Sequence, residues 1–323
     1  MKLGSGSPMT VVAVLLAAMA VPAFMSDWII FLVTIALAKG MVVLGVALLL
    51  RGGLISFGHG LYFAAGAYTV AFAINELGIR ETILLLPLCV IVGVLIAAVI
   101  GLILRRYRGI FFAMLSLAFS MVLYTVLFKF YRITGGTDGL AVSAYTVFGV
   151  EPGREALRLV NYGVTCAVTV VVLYLGWRLI RSPLGFMMPA VRYNEIRVEY
   201  VGASVADSIY FTYLYSGAVG ALGGGLVALN VEHVAPELAY WTASADFVFV
   251  AVLGGSTSVF APFAGSLVFE VLKNYAFKYS PQTWQMTLGV VLLLIIFFLP
   301  QGLWSLWGEI RTRWSRWNPS SRP

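Results

Sequence analysis

The sequence predicts an all-α polytopic membrane protein with about eight to ten transmembrane segments, some of them broken or re-entrant. Three observations support this fold class. Of the 323 residues, 61% are hydrophobic and only 11% are charged, whereas a soluble domain carries about 25% charged residues. The mean hydropathy is +0.94. The apolar runs are long and do not alternate with polar residues, so they fit membrane helices rather than the strands of a membrane barrel.

Ten apolar runs are the candidate spans, and in chain order they are 9–25, 29–50, 54–74, 82–104, 109–130, 159–180, 205–230, 246–257, 259–277 and 284–300. A crossing helix needs about 20 residues, so the run 246–257 is too short to cross as a regular helix. The first run also fits a signal peptide, but the spans that follow favour a first transmembrane helix.

The chain is expected to form a single transmembrane domain over residues 9–303. Residues 1–8 are rich in glycine and serine and are expected to be an N-terminal tail left by cloning, outside the fold. Residues 304–323 combine tryptophan with basic residues, which is typical of a cytoplasmic tail anchored at the membrane interface.

Arginine residues at the ends of the apolar runs predict the orientation of the chain. They form three groups: Arg105, Arg106 and Arg108; Arg178, Arg181, Arg192 and Arg197; and Arg311, Arg313 and Arg316. Because loops rich in Lys and Arg stay in the cytoplasm, all three groups are expected on the cytoplasmic side, together with both chain termini. The loop from Tyr131 to Arg158 has no strong basic excess and then lies on the outer side.

The stretch from Arg181 to Ser204 is too polar to span a membrane and has the pattern of a short cytoplasmic helix. Ser182 and Pro183 are typical helix-start residues, and Gly202 is a typical stop. Two interpretations fit this pattern equally well: a helix packed against another cytosolic protein, and a helix lying on lipid headgroups. The first interpretation predicts a coupling segment over residues 181–204.

Two apolar segments are interrupted by glycine, at 56–60 (SFGHG) and at 254–258 (GGSTS). Broken helices expose backbone groups at membrane depth, where they can bind a polar solute. The residues expected near a substrate path are therefore Ser56, Gly58, His59, Gly254, Gly255 and Ser256. Alternatively, glycines only allow helices to pack closely, and this interpretation is favoured for Gly66, Gly220, Gly223, Gly224, Gly225 and Gly265.

Lys39 lies near the middle of the apolar run 29–50. An ammonium group there costs about 3 kcal/mol unless it faces a cavity or an opposite charge, and its distance from either end of the run makes snorkelling strained. We expect Lys39 to face the substrate path, with a substrate carboxylate as counter-charge, or to form an ion pair with a partner subunit. Asp246 and Glu270 are weaker candidates, because each is expected nearer to a helix end.

Several functional classes find no support in the residues. The two histidines, His59 and His233, lack the spacing of a metal site, and Cys89 and Cys166 lie in apolar runs, so no metal, cofactor or disulfide is expected. The motifs G-x-x-x-x-G-K-[ST], G-x-S-x-G and H-E-x-x-H are absent, so no catalytic residue is expected, and any ATP hydrolysis falls to another chain. The net charge of +7 comes from groups at helix ends and indicates topology, not nucleic-acid binding.

Six short motifs are similar to those of one transporter family. They are GLISFGHG at 53–60 followed by Phe63 and Gly66-Ala67-Tyr68, RGIFFA at 108–113, TGGTDGL at 134–140, SPLG at 182–185, VLGG at 252–255 and LPQGL at 299–303. With matches spread from about Leu44 to Leu303, the chain resembles the permease subunits of branched-chain amino-acid ABC importers, in the LivM-like branch.

This resemblance implies a permease of the bacterial inner membrane that works with a related second permease, two cytosolic ATPases and an extracytoplasmic binding protein. It implies an ATPase contact on the Ser182 to Gly202 segment, with matches to the family pattern at Gly185, Arg192, Asn194, Glu195 and Gly202. It also implies that the binding protein docks on the side of Thr134, Gly135, Gly136 and Asp138. The chain departs from the family pattern at Phe186, Pro189 and Tyr193.

The implied substrate is a branched-chain amino acid or a related amino acid or amide, taken up by alternating access. The family also includes importers for urea, short amides and aromatic or carboxylic acids, so these remain alternatives. An ion-coupled secondary transporter is less favoured, because it needs acidic residues within the spans and these are scarce. A membrane enzyme is least favoured, since it would need clustered histidines or carboxylates.

Overall fold

The structure is a computed structural model, and it describes residues 26–150, 153–279, 281–298 and 302–304. The expected tail at residues 1–8, the candidate span 9–25 and the third arginine group lie outside the described residues. Residues 299–301 of the last motif and 305–323 of the expected cytoplasmic tail also lie outside them.

Twelve helices account for most of the described residues. They are α1 (Asp27–Arg51), α2 (His59–Asn75), α3 (Thr82–Leu104), α4 (Gly109–Lys129), α5 (Tyr131–Thr134), α6 (Arg154–Ile180), α7 (Pro183–Tyr193), α8 (Glu195–Tyr200), α9 (Val205–Val231), α10 (Trp241–Gly254), α11 (Ala261–Tyr279) and α12 (Trp284–Phe298). Two short strands, β1 (Leu140–Ala141) and β2 (His233–Val234), pair antiparallel with Leu140 opposite Val234. Single 3-10 turns occupy Gly136–Asp138 and Pro236–Ala239.

Five of these helices are long and apolar enough to cross a membrane: α1, α3, α4, the Ala156–Ile180 part of α6, and α9. Within the described ranges, α10 and the Trp284–Ile295 part of α12 are apolar but shorter. The predicted all-α membrane class is therefore confirmed. The number of spans stays a prediction, because the shorter helices do not reach the length of a regular crossing.

The chain between α1 and α2 is irregular, so α2 begins later than the predicted run 54–74. Gly53 has a φ of +74°, which turns the chain out of α1 and which glycine adopts without steric cost. Residues 54–58 then run without helical structure to His59. The segment is nevertheless partly buried, since Leu54 is 1% exposed and Ser56 is 0% exposed, whereas Ile55 between them is 43% exposed.

Helix α9 is the centre of the bundle and packs against α1, α2 and α3. Its glycine-rich middle lets the backbones approach closely: a Cβ on Gly224 would collide with the carbonyl oxygen of Phe63, and a Cβ on Gly66 would collide with that of Ala221. Small residues at helix contacts are typical of membrane bundles. The close-packing interpretation of Gly66 and Gly224 is therefore confirmed.

The helix termini sort into two ends of the bundle. Arg51 at the end of α1, Arg105 after α3, Arg108 before α4 and Arg181 after α6 lie at the end that carries α7 and α8, which we call the basic end. An ion pair of 3.1 Å between Arg105 and Asp207 ties the start of α9 to the same end. The β1–β2 pair lies at the opposite end, after α4 and α9 have crossed the bundle.

Buried apolar side chains form two large clusters. The larger one spans α1, α2, α9, α10 and parts of their neighbours. The second one contains Met188 and Val191 of α7, Leu54 of the irregular segment, Tyr62 of α2 and Tyr213 of α9. This second cluster therefore packs the basic end directly against the segment that leads into α2.

Candidate functional site

A cavity of about 120 Å³ lies between α1, α2, α10 and α11, and we call it the ionic cavity. Four of its lining side chains carry a charge: Lys39, Asp246, Glu270 and Lys273. The apolar part of the lining consists mainly of Val43, Phe63, Leu238, Phe247, Val250 and Phe269. Charged groups that line a cavity inside a membrane bundle mark a candidate solute pathway.

Two ion pairs hold these four charges. Lys39 Nζ lies 2.7 Å from Glu270 Oε1, and Lys273 Nζ lies 3.0 Å from Asp246 Oδ2. Lys39 stands in the middle of α1 and Glu270 in the middle of α11, so their pair bridges the helices deep in the bundle. The Glu270 side chain is 8% exposed, whereas the Asp246 side chain is 36% exposed. One pair is thus enclosed and the other opens toward the outside of the chain.

Pairing makes these charges tolerable at this depth. An unpaired Lys or Asp at the centre of a membrane helix costs about 2.5–3.5 kcal/mol on insertion scales, and removing one partner of a buried pair leaves such a charge behind. The Lys273 ammonium also lies 5.3 Å from the centre of the Trp284 ring, a cation–π arrangement. The four side chains carry no net formal charge, so the cavity presents both signs to a solute.

A second polar cluster surrounds the start of α2 and is completely buried. His59 Nδ1 lies 3.1 Å from Ser56 Oγ, and His59 Nε2 lies 2.5 Å from Ser216 Oγ of α9. The N–H of Gly58 donates to Ser56 Oγ at 3.3 Å. Ser56, Gly58 and His59 therefore belong to this cluster and do not line the ionic cavity.

Serines from three different helices fasten the start of α2. Ser216 of α9 contacts the histidine ring, Ser116 of α4 accepts from the Phe57 N–H at 3.1 Å, and Ser244 of α10 accepts from the Gly60 N–H at 2.8 Å. The first N–H groups of a helix have no partner within the helix, and leaving them unsatisfied in an apolar interior costs several kcal/mol. Ser244 satisfies one of these helix N–H groups, that of Gly60, while Ser216 and Ser116 hold the histidine ring and the chain just before the helix.

The second interrupted segment forms the turn between α10 and α11. Gly254 ends α10 against the backbone of Ala261, with no room for a Cβ, and Gly255 has a φ of +89°. Ser256 follows in the same turn. In the part of the chain that the structure describes, Gly254, Gly255 and Ser256 do not line the ionic cavity.

The structure therefore separates the residues predicted for a substrate path into three places, and among them Lys39 alone lines the described ionic cavity. Lys273 was missed by sequence reasoning. Glu270 was ranked low as a residue near a helix end, but it stands in the middle of α11. A signal was present: Glu270 and Lys273 are three residues apart, which places both on one helix face.

Helices α7 and α8 divide the predicted coupling segment 181–204 into two parts. Ser182 Oγ accepts from the Gly185 N–H at 3.4 Å and caps α7, and the Asn194 side chain accepts from the Arg197 N–H at 3.0 Å and caps α8. A Cβ on Gly185 would collide with carbonyl oxygens at the end of α6. This close approach lets α7 fold back sharply from α6.

The α7–α8 pair is anchored on its inner side, and its exposed side carries large apolar side chains among charged ones such as Arg197 and Glu199. Glu195 Oε1 accepts from Arg108 Nε at 2.8 Å, the stem of Arg192 packs over Gly53, and Gly202 closes the segment with a φ of +86°. The outward side chains include Phe186, Tyr193, Ile196, Tyr200 and Val201, all exposed. An exposed apolar patch of this kind marks an interaction surface.

The loop after α4, at the opposite end, is built around Thr134. Its Oγ1 lies 2.5 Å from the carbonyl oxygen of Leu127, and the chain then turns through Gly135 and Gly136, whose φ values are +72° and +51°. Asp138 is exposed and accepts a hydrogen bond of 3.0 Å from a tyrosine hydroxyl. The four predicted loop residues thus form one compact turn before β1.

Comparison with known proteins gives a consistent result. A family described as the permease component of branched-chain amino acid transport systems matches residues 28–299. The high-affinity branched-chain amino acid transport system permease protein LivM of Escherichia coli is 27% identical over 90% of this chain and 73% of its own length. The protein of the same name from Salmonella typhimurium is 28% identical over 78% of this chain, which spans only 64% of that relative.

A shorter match concerns a protein named for another solute. The guanosine ABC transporter permease protein NupP of Bacillus subtilis is 33% identical over 33% of this chain and 31% of its own length. No solved structure matches the chain.

Proposed function

Because the chain belongs to the family of branched-chain amino acid transport permeases, we propose that it is the membrane-spanning subunit of an ABC importer for a branched-chain amino acid or a closely related amino acid. The subunit moves its solute across the bacterial inner membrane by alternating access. It hydrolyses no ATP itself. The proposed permease domain is the range 9–303 and the proposed cytoplasmic tail is the range 304–323, most of which lies outside the described residues.

The observation that carries the substrate class is the presence of both charge signs in the ionic cavity. An α-amino acid is neutral overall but carries a carboxylate and an ammonium group on one carbon. The carboxylate matches Lys39 or Lys273, and the ammonium matches Glu270 or Asp246. The solute can exchange partners with the two ion pairs without leaving a charge unpaired, and an unpaired buried charge would cost about 3–5 kcal/mol.

The remaining lining fits an aliphatic side chain. Val43, Val250 and the Phe63 ring contribute apolar surface, and small-molecule sites typically combine such surface with a few placed polar groups. The cavity volume of about 120 Å³ corresponds to roughly ten water-sized spheres. That space suits a solute of the size of a small amino acid.

The partner contacts follow from the two ends of the bundle. At the basic end, one of two cytosolic ATPases contacts the exposed side of α7–α8, and the contact segment contains Gly185, Arg192, Asn194, Glu195 and Gly202. At the opposite end, an extracytoplasmic binding protein docks near the turn 134–138. A related second permease completes the membrane part. We propose the cytoplasmic side for both chain termini, which lie outside the described residues.

Other solutes fit the cavity less well. Urea, short amides and the guanosine named for one relative carry no ammonium–carboxylate pair, and an aromatic or carboxylic acid carries only the carboxylate. Each of these solutes lacks at least one of the two charges with which an amino acid can take the place of a partner in an ion pair. A branched-chain amino acid carries both charges and an aliphatic side chain for the apolar lining, so it is the favoured substrate.

The test is solute-stimulated ATP hydrolysis by the complex that co-purifies with this chain, reconstituted in liposomes with its binding protein. The panel is leucine, valine, urea, acetamide, benzoate and guanosine. We expect stimulation by leucine or valine, and we expect uptake to stop when the partner ATPase is inactivated. If no ATPase co-purifies and uptake follows an ion gradient, the chain is a secondary transporter and not a subunit of an ABC importer.

A further inference from the structure

The irregular segment between α1 and α2 touches the basic end at its start. Gly52 packs against the side chain of Met188, and a Cβ on Gly53 would lie 3.2 Å from Cγ of Arg192, so α7 rests directly on the segment. Leu54 belongs to the same buried cluster as Met188. Because protein interiors are close-packed and transmit displacement, a movement of α7 acts on this segment.

The far end of the segment touches the helix that carries half of an ion pair. The N–H of Gly60 donates to Ser244 Oγ of α10 at 2.8 Å, and Ser244 is 0% exposed. Ser244 stands two positions before Asp246, which lines the ionic cavity. A Cβ on Gly60 would also lie 3.1 Å from the carbonyl oxygen of Leu238, another lining residue. The start of α2 therefore lies against one lining residue, Leu238, and against Ser244, which does not line the cavity itself but stands next to the lining residue Ala243.

Helix α10 is bounded by non-helical residues on both sides. Tyr240, before it, has extended backbone angles, and Gly255, after it, has a φ of +89°. Short helices with such ends can shift as rigid units about the residues that absorb the change. The ion pair that α10 supplies, Asp246 with Lys273, is also the more exposed of the two. A shift of α10 would therefore change the open side of the cavity first.

We propose that the hydrogen bond from the Gly60 N–H to Ser244 Oγ transmits movement of the α7–α8 pair to α10 and so repositions Asp246 during transport. This inference rests on the proposed function. Ser244 is then a positioning residue that acts through Asp246. Without its hydroxyl, the ATPases continue to turn over, but fewer solute molecules cross for each ATP hydrolysed.

The test compares Ser244→Ala with a matched control in the reconstituted complex. The control is Thr169→Ala on α6, which removes a hydroxyl that is 2% exposed and bonds the Thr165 carbonyl of its own helix at 2.7 Å. Leucine transported per ATP, the half-saturating leucine concentration and the thermal midpoint are measured for both. We expect leucine per ATP to fall about fivefold in Ser244→Ala alone, the factor that one hydrogen bond contributes to a two-state equilibrium.

A second variant and a structural readout separate this role from a loss of stability. Ser244→Cys keeps the branching of the side chain, with a somewhat larger sulfur in place of oxygen, but accepts hydrogen bonds weakly, so it should also lower leucine per ATP. Spin labels at Ala190 and Phe249, both exposed, report whether α7 and α10 move together when ATP binds. We expect correlated movement in the wild type and movement of α7 alone in Ser244→Cys.

Wild-type leucine transport per ATP in both Ser244 variants would overturn the inference while leaving the importer assignment intact. Correlated label movement in Ser244→Cys would overturn it as well. Absence of leucine-dependent hydrolysis in the wild-type complex would instead overturn the proposed function, on which the inference rests.

Discussion

Arg108 and Glu195 join the start of α4 to the start of α8, with 2.8 Å between Arg108 Nε and Glu195 Oε1. The two side chains are 31% and 38% exposed, so solvent screens their attraction, and exposed pairs contribute about 0–1 kcal/mol. The Arg108 guanidinium also donates to the Arg105 carbonyl at 2.6 Å. The pair therefore orients α8 more than it stabilises the fold.

Glu195→Ala is expected to leave the free energy of unfolding within about 1 kcal/mol of the wild type but to weaken co-purification of the ATPases, because α8 loses its anchor. Differential scanning fluorimetry and the ATPase yield per permease measure the two effects. Glu199→Ala, an exposed change on the same helix, is the control that keeps the anchor. Full ATPase yield from Glu195→Ala would contradict the proposed contact.

Lys39→Met and Glu270→Gln are each expected to destabilise the protein by about 3–5 kcal/mol, because each leaves one charge unpaired in the bundle. The double variant Lys39→Met/Glu270→Gln should recover most of that loss, since it removes both charges. Unfolding in detergent measures the free energies, and the four proteins form a double-mutant cycle. Additive losses in the double variant would show that the two charges do not depend on each other.

Gly224→Ala is expected to destabilise the bundle by about 1–3 kcal/mol or more, because the added methyl group meets the Phe63 backbone. Gly163→Ala is the matched control on α6, where a Cβ meets nothing within 4 Å. It should be neutral or stabilise by about 0.5–1 kcal/mol, since alanine restricts the unfolded chain. Thermal midpoints that fall equally in both variants would contradict the close α2–α9 packing.

Tyr145, in the loop before α6, is expected to make stability fall at alkaline pH. Its hydroxyl donates to the Leu229 carbonyl at 2.9 Å, and burial raises the pKa of the phenol to about 12, above the usual 10. This stabilising contribution is complete below pH 10 and is lost as the pH rises through 12. Unfolding midpoints between pH 8 and 11.5 should fall more steeply in the wild type than in Tyr145→Phe, and parallel curves would contradict the assignment.

Much of the helical layout is predictable from local apolar length. The predicted run 82–104 has the same bounds as α3, and the run 205–230 ends one residue before α9 does, because hydropathy is a property of neighbouring residues. The run 54–74 predicts the end of α2 but not its start. Its first residues are apolar, and the turn at Gly53 depends on a backbone angle that hydropathy does not report.

The candidate site is predictable only where a single residue breaks a local rule. Lys39 stands out because an ammonium is costly in an apolar run. Its partner Glu270 is 231 positions away, and only tertiary packing brings them together. Ser116 and Ser244 give no signal in the sequence, because hydroxyls are common in apolar helices and satisfy themselves within the helix. Their role at the start of α2 needs three-dimensional contacts.

The central claim is that the ionic cavity recognises both charged groups of an amino acid. Equilibrium binding of labelled leucine to the purified permease complex, without binding protein, tests it most directly when leucinamide and 4-methyl-2-oxopentanoate compete. We expect leucine to bind and each analogue to compete at least about tenfold more weakly, since each lacks one charge-assisted contact. Equal competition by either analogue, or no leucine binding, would contradict the claim.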